Sequence, residues 1–249
     1  MKKEEALQLS NTKVIAHRGA SGYAPENTLE AFLLAIEQGA DGIELDVQLS
    51  RDGIPVVIHD ETIDRVTDRT GYVKDYTLQE LKELTVLKDR FPQYSQSKIP
   101  TLKEVLEAVK TSGIQVNIEL KTGIYWYPDI EKKVAGIVEE TGMKEKIIYS
   151  SFNHYSVQRI KEIVPDAETA YLYSDVILNV EDYARKTKVD GLHPAVYHVK
   201  MADFLKKYIK SGLNVRVWTV NEEADMKALT EAGVTAVITN YPDVAARII

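Results

Sequence analysis

The chain has 249 residues, 44% hydrophobic and 28% charged, which supports a sizeable buried core. Its 38 Asp and Glu outnumber 31 Lys and Arg, for a net charge of −7 with no basic run longer than two residues. That balance argues against nucleic-acid partners, which need clustered cations. Cysteine is absent, so disulfides, thiolate catalysis and zinc–sulfur sites are excluded. The opening Met1-Lys2-Lys3-Glu4-Glu5 is charged with no apolar stretch behind it, and no apolar run approaches about 18 residues. Neither a secretory signal nor a membrane span is therefore expected, and a cytoplasmic location is the default expectation.

A strand at 14–17 leads into His17-Arg18-Gly19. A helical pattern at 28–38 follows, with Asn27 or Thr28 as its cap and Glu30 in reach of a capping box. The second strand, 42–47, carries Glu44 and Asp46. The rhythm then breaks. An extra strand at 54–59 ends in His59-Asp60, followed by a turn at Gly71, a short helix at 78–84 and a polar segment at 92–98. Residues 48–110 are expected to form a small insertion capping the mouth. Their excess of about 40 residues, at 49–100, is more than a plain connection needs. After a helix at 101–110, strands are predicted at 115–120, 146–150, 168–173, 189–193, 214–220 and 236–239. They are separated by helices at 128–141, 155–163, 180–187, 202–210 and 222–232. Runs such as Val14-Ile15-Ala16 lack polar alternation, as parallel strands buried on both faces do. Such repetition over about 250 residues predicts a single α/β domain, residues 1–249, built as a (β/α)8 TIM barrel. A doubly wound open sheet is the competing architecture.

Glu44 and Asp46 lie two apart on one strand and so share a face. Glu119 ends the next barrel strand, with Lys121 on its face. Strand ends of this kind point into a barrel's mouth. Three crowded carboxylates suit a hard divalent cation such as Mg2+, Ca2+ or Mn2+; the alternative is a set of ion pairs between Glu44 and Lys121 or an arginine. His17 and His59 stand at strand ends beside charged residues, where they can act as a proton-transfer pair or as additional metal ligands. Arg18 offers a planar fork to a phosphate, or to Glu44 or Glu26. Glu26 and Asn27 open a helix, and Asn27 can also hold the His-Arg turn. Trp218, at the end of the seventh barrel strand, is placed to wall a pocket, and Tyr125, Trp126 and Tyr127 to form its rim. His193 closes a strand near the mouth; His154 and His198 read as surface residues.

The ordered series His17-Arg18-Gly19, Pro25-Glu26-Asn27-Thr28, Gly39-Ala40-Asp41, Glu44-Leu45-Asp46-Val47, Asp52-Gly53 and His59-Asp60 resembles the glycerophosphodiester phosphodiesterases. The likeness continues through Arg65-Val66-Thr67, Gly71, Ile99-Pro100-Thr101-Leu102, Ile118-Glu119-Leu120-Lys121, Ser151-Phe152 and Trp218-Thr219-Val220-Asn221. It implies a barrel with a small insertion and one divalent cation, Mg2+ or Ca2+ with Mn2+ admissible. The implied reaction is hydrolysis of a small-molecule glycerophosphodiester to sn-glycerol 3-phosphate and an alcohol. On this resemblance Glu44, Asp46 and Glu119 hold the metal, His17 and His59 move protons, and Arg18 and Lys121 contact phosphate. Two rivals are a membrane-docking lipid phosphodiesterase, disfavoured by the lack of a basic or exposed apolar segment, and a non-catalytic phosphate-binding barrel. No nucleic-acid partner and no stable membrane association are expected.

Overall fold

The computed structural model describes residues 12–86 and 91–249; the charged start at 1–5 lies outside them. Among the described residues nine strands form one sheet: β1 (Lys13–His17), β2 (Gly42–Leu49), β3 (Pro55–Val57), β4 (Gln115–Leu120), β5 (Ile147–Ser151), β6 (Glu168–Tyr173), β7 (Gly191–Pro194), β8 (Asn214–Val217) and β9 (Ala236–Thr239). All but β3 are parallel neighbours, and β1 pairs with both β2 and β9, which closes an eight-stranded barrel. The open-sheet alternative is thereby excluded. Helices intervene: α1 (Leu29–Glu37), α2 (Leu78–Glu83), α3 (Leu102–Val109), α4 (Ile130–Thr141), α5 (His154–Ile163), α6 (Val180–Lys186), α7 (Val196–Val199), α8 (Phe204–Lys210), α9 (Glu223–Ala232) and α10 (Pro242–Ile248).

Apolar side chains of helices and strands interlock in two large clusters outside the barrel wall. One joins Phe32 and Ala35 of α1 to Ile43, Leu45 and Val116; the other joins Tyr171, Val217, Met226 and Ala245. Phe32 is fully buried in the first. Phe32→Ala is expected to cost about 3–5 kcal/mol of stability in denaturant unfolding; a cost near zero would mean that α1 does not dock there.

The interior is less apolar than the strand runs suggest. Below the mouth lie buried Asn117, Ser150, His193 and Arg216, with Ile15, Ala236 and Ile238 packed under Trp218. Arg216 pairs with Glu168. His193, expected near the mouth, is wholly buried here; burial and the Arg216 charge push its imidazole well below the usual range.

Beyond β2 the chain turns back into β3, antiparallel to it through Val47–Val57 and Leu49–Pro55. Val56, Ile58, Ile63, Val73, Leu81, Leu84 and Ile99 form a separate small core there. Capping boxes at Thr77/Glu80 and Thr101/Glu104 start α2 and α3. Thr28 caps α1 by accepting from Ala31 N, without the box expected of Glu30. The short α7 and the terminal α10 were not among the expected helices.

Candidate functional site

Strand register assembles the acids. Glu44 stands beside His17 on β1 and Asn117 on β4, and Asp46 beside Glu119. The carboxylates of Glu44, Asp46 and Glu119 are all buried and offer ligand oxygens within 4.8 Å of one another. Burial, then Asp46 and Glu119, push Glu44 well above its ordinary range. Burial and Asp46 push Glu119 up to about 7. Asp46 is held low: burial opposes its ionisation, but Arg18, His59 and Lys121 outweigh it. Its Oδ2 accepts from Asn27 Nδ2 at 2.8 Å, while Oδ1 is buried with no hydrogen-bond partner. An all-oxygen trio with an unsatisfied buried oxygen at its centre fits a hard divalent cation.

The turn after β1 serves these acids. Arg18 has a positive φ of 55° and Gly19 one of 80°; a Cβ on Gly19 would lie 2.6 Å from the Ala31 backbone. Only glycine tolerates that approach, and it lets α1 close on the turn. So bent, Arg18 donates its backbone N–H to Glu44 Oε2 at 2.9 Å, and its Nη1 to Glu26 Oε1 at 2.9 Å. Its Nε lies 3.4 Å from Asp46 Oδ2. Lys121 Nζ is 3.0 Å from Glu119 and 3.9 Å from Asp46. The structure thus realises ion pairs and a metal-competent trio in the same cluster. Asn27, expected to be a helix cap or to brace this turn, has its backbone N–H on Arg18 O at 3.0 Å and its side chain on Asp46.

The two histidines differ in what stands behind them. His17 Nδ1 lies 2.8 Å from Asn240 Oδ1, an amide oxygen that can only accept, so Nδ1 carries the proton and Nε2 is left as an acceptor. Burial and the Arg18 charge lower its pKa to about 4. Asn240 is itself anchored, its backbone N–H donating to Asn221 Oδ1 at 3.0 Å. His59 Nδ1 faces a carboxylate, Asp60 Oδ1, at 2.6 Å. Burial opposes ionisation of Asp60, yet hydrogen bonds from Arg65 and His59 hold it at about 2.

Trp218 lines the barrel's end, its Nε1 donating to His193 O at 2.7 Å and its ring meeting Phe152 edge-on at 5.5 Å. Of the three expected rim aromatics, Tyr127 is a core residue bonded to Gln48, Tyr125 packs on Tyr72, and Trp126 lies under the Arg159 guanidinium. His198 is buried rather than at the surface as expected, and His154 is half-buried and stacks on Tyr171 at 3.8 Å. Exposed Ile124, Phe152, Tyr155, Val176 and Leu178 follow the ends of β4, β5 and β6. They are spread over three segments, with Tyr155 inside α5 and Val176 and Leu178 on either side of Ile177.

The glycerophosphoryl diester phosphodiesterase family model matches residues 17–244, from His17 to the start of α10. The chain belongs to that family. As a member of the glycerophosphoryl diester phosphodiesterase family it is a hydrolase. It is 42% identical over 232 residues to a glycerophosphodiester phosphodiesterase of Caldanaerobacter subterraneus subsp. tengcongensis, covering 93% of this chain and 95% of that one. Its structure resembles that of an Oleispira antarctica phosphodiesterase in complex with the product sn-glycerol-3-phosphate, with TM-score 0.88, 31% identity and 95% and 96% of the two chains covered. A glycerophosphodiester phosphodiesterase from Agrobacterium tumefaciens matches with TM-score 0.83 at 31% identity, over 95% and 99%. Among the described residues no helix is long and apolar enough to cross a membrane.

Proposed function

We propose that this protein hydrolyses glycerophosphodiesters to sn-glycerol 3-phosphate and an alcohol by a cation-dependent, two-histidine mechanism. The observation that carries this reading is the buried convergence of Glu44, Asp46 and Glu119 beside His17 and Arg18. A divalent cation held by the three carboxylates would neutralise phosphate oxygens as a Lewis acid. Mg2+ and Ca2+ both suit the oxygen donors.

Arg18 and Lys121 bring positive charge to the phosphate and strengthen their hold as charge builds in the transition state. His17 is the base. Asn240 holds the tautomer whose Nε2 can take a proton, and the lowered pKa keeps the ring neutral at neutral pH. A bound phosphate would offset the Arg18 charge that depresses this ring, so His17 becomes a better base when substrate is present. His59 is the acid, its Nδ1 fixed by Asp60 so that Nε2 delivers a proton to the departing alkoxide. Trp218 and Phe152 form an apolar wall for the substrate.

The assay is release of sn-glycerol 3-phosphate from glycerophosphocholine, with and without chelator. Turnover that stops with chelator and returns with Mg2+ or Ca2+ supports the proposal; chelator-insensitive turnover, or none under any cation, rejects it. The His17 assignment has its own check. Asn240→Asp puts a carboxylate behind the ring and raises its pKa, so more of the base is protonated at a given low pH. The acid limb of kcat/KM is then expected to move to higher pH; an unmoved limb would deny His17 the role of base.

A further inference from the structure

We propose that Arg65 is a positioning residue of this hydrolysis: its guanidinium, clamped between Glu26 and Asp60, holds His59 on the insertion in register with Arg18 on the barrel. The inference rests on the proposed roles of His59 and Arg18.

Arg65 uses its whole fork. Nη1 and Nη2 donate to Glu26 Oε2 and Oε1 at 2.7 and 2.8 Å, while Nε and Nη2 donate to Asp60 Oδ2 and Oδ1 at 2.7 and 3.1 Å. Both carboxylates it grips are already engaged with a site residue. Glu26 Oε1 accepts from Arg18 Nη1 at 2.9 Å, and Asp60 Oδ1 meets His59 Nδ1 at 2.6 Å. The result is a chain of alternating charge from Asp46 through Arg18, Glu26, Arg65 and Asp60 to His59. Glu26 lies between β1 and α1, whereas Asp60 and Arg65 lie beyond β3, so the fork ties two separate loops together.

Position matters here more than charge. The Arg65 side chain is 48% exposed, and an ion pair at that exposure contributes little to stability by itself. A planar fork bidentate to two carboxylates nevertheless fixes distance and angle in a way that an ammonium cannot. A misplacement of about 1 Å in a proton donor is enough to cost roughly a hundredfold in rate. The acid histidine sits in the loop after β3, where Gln48 Nε2 holds its backbone O at 3.1 Å and Arg65 holds its ring partner, Asp60.

Leaving-group dependence tests this. Wild type, Arg65→Met and Arg65→Lys are compared on glycerophosphocholine, whose alkoxide needs a proton, and on the glycerophosphodiester of p-nitrophenol, whose leaving group does not. Both variants are expected to lose about 10–100-fold in kcat on the choline diester and less than about threefold on the nitrophenyl diester. Melting temperature is followed alongside. Equal losses on both substrates, no loss on either, or full activity in Arg65→Lys would overturn the inference while leaving the proposed hydrolysis intact. A wild type inactive on both diesters would bring down the function itself, and the inference with it.

Discussion

Replacing either His17 or His59 with alanine is expected to lower kcat by about 10²–10⁴-fold while leaving affinity for the divalent cation unchanged. His17 Nδ1 is committed to Asn240 and His59 Nδ1 to Asp60, so each ring has one nitrogen left for a proton. The three carboxylates would hold the proposed cation with oxygens that lie within 4.8 Å of one another, without either ring. Calorimetric titration with Mg2+ or Ca2+ separates the roles. Should cation binding vanish in one of the variants, that histidine is a ligand and the proton-transfer pair is wrong. The two losses should not be additive, because a double variant still retains the charge stabilisation of Arg18 and Lys121.

Glu44→Gln is expected to abolish the effect of cation on stability without weakening the cation-free fold. Glu44 and Glu119 both have folded pKa values raised above their ordinary 4.5, by burial first and then by neighbouring carboxylates. A raised carboxyl contributes stability that is complete below about pH 4.5 and is lost as pH rises, for Glu119 through about 7. Near neutral pH the cation-free protein therefore carries a penalty that a bound cation removes. Gln keeps the acceptor for Arg18 N–H and lacks the charge, so the cation-free variant should melt no lower than wild type. In wild type, cation at a hundredfold excess over Kd adds about 2.7 kcal/mol. For a chain of this length that is a Tm rise of roughly 5–10 °C. The rise should be absent in Glu44→Gln. A variant that keeps the full rise would show that the trio is an ion-pair cluster held by Arg18 and Lys121.

The barrel was legible from apolar strands such as β1 and β9 and from the recurring strand–helix alternation, although β2, β4 and β8 alternate polar with apolar residues. The short α7 escaped because four residues hold too few turns for a helical period to declare itself. The acids and Lys121 were legible from two-residue spacing at strand ends, which strand geometry converts directly into a shared face; Arg18 was legible as the residue that follows His17. Asn240 was missed, although a signal exists: it stands two residues after the inward-facing Ile238, at the mouth end of β9. Arg65 was visible only as part of a family-like run. Its contacts with Glu26 join segments 39 residues apart, a relation that no local pattern encodes. His198 was misjudged for a similar reason, since its ring partner Tyr173 lies on another element.

The most direct test of the account is a crystal structure with Mn2+ and sn-glycerol 3-phosphate, read by anomalous scattering. The account predicts one strong peak about 2.0–2.6 Å from oxygens of Glu44, Asp46 and Glu119. The phosphate should lie against Arg18 and Lys121 with the Nε2 atoms of His17 and His59 both in hydrogen-bond reach. A peak ligated by either imidazole, or a phosphate bound beyond both rings, would contradict it.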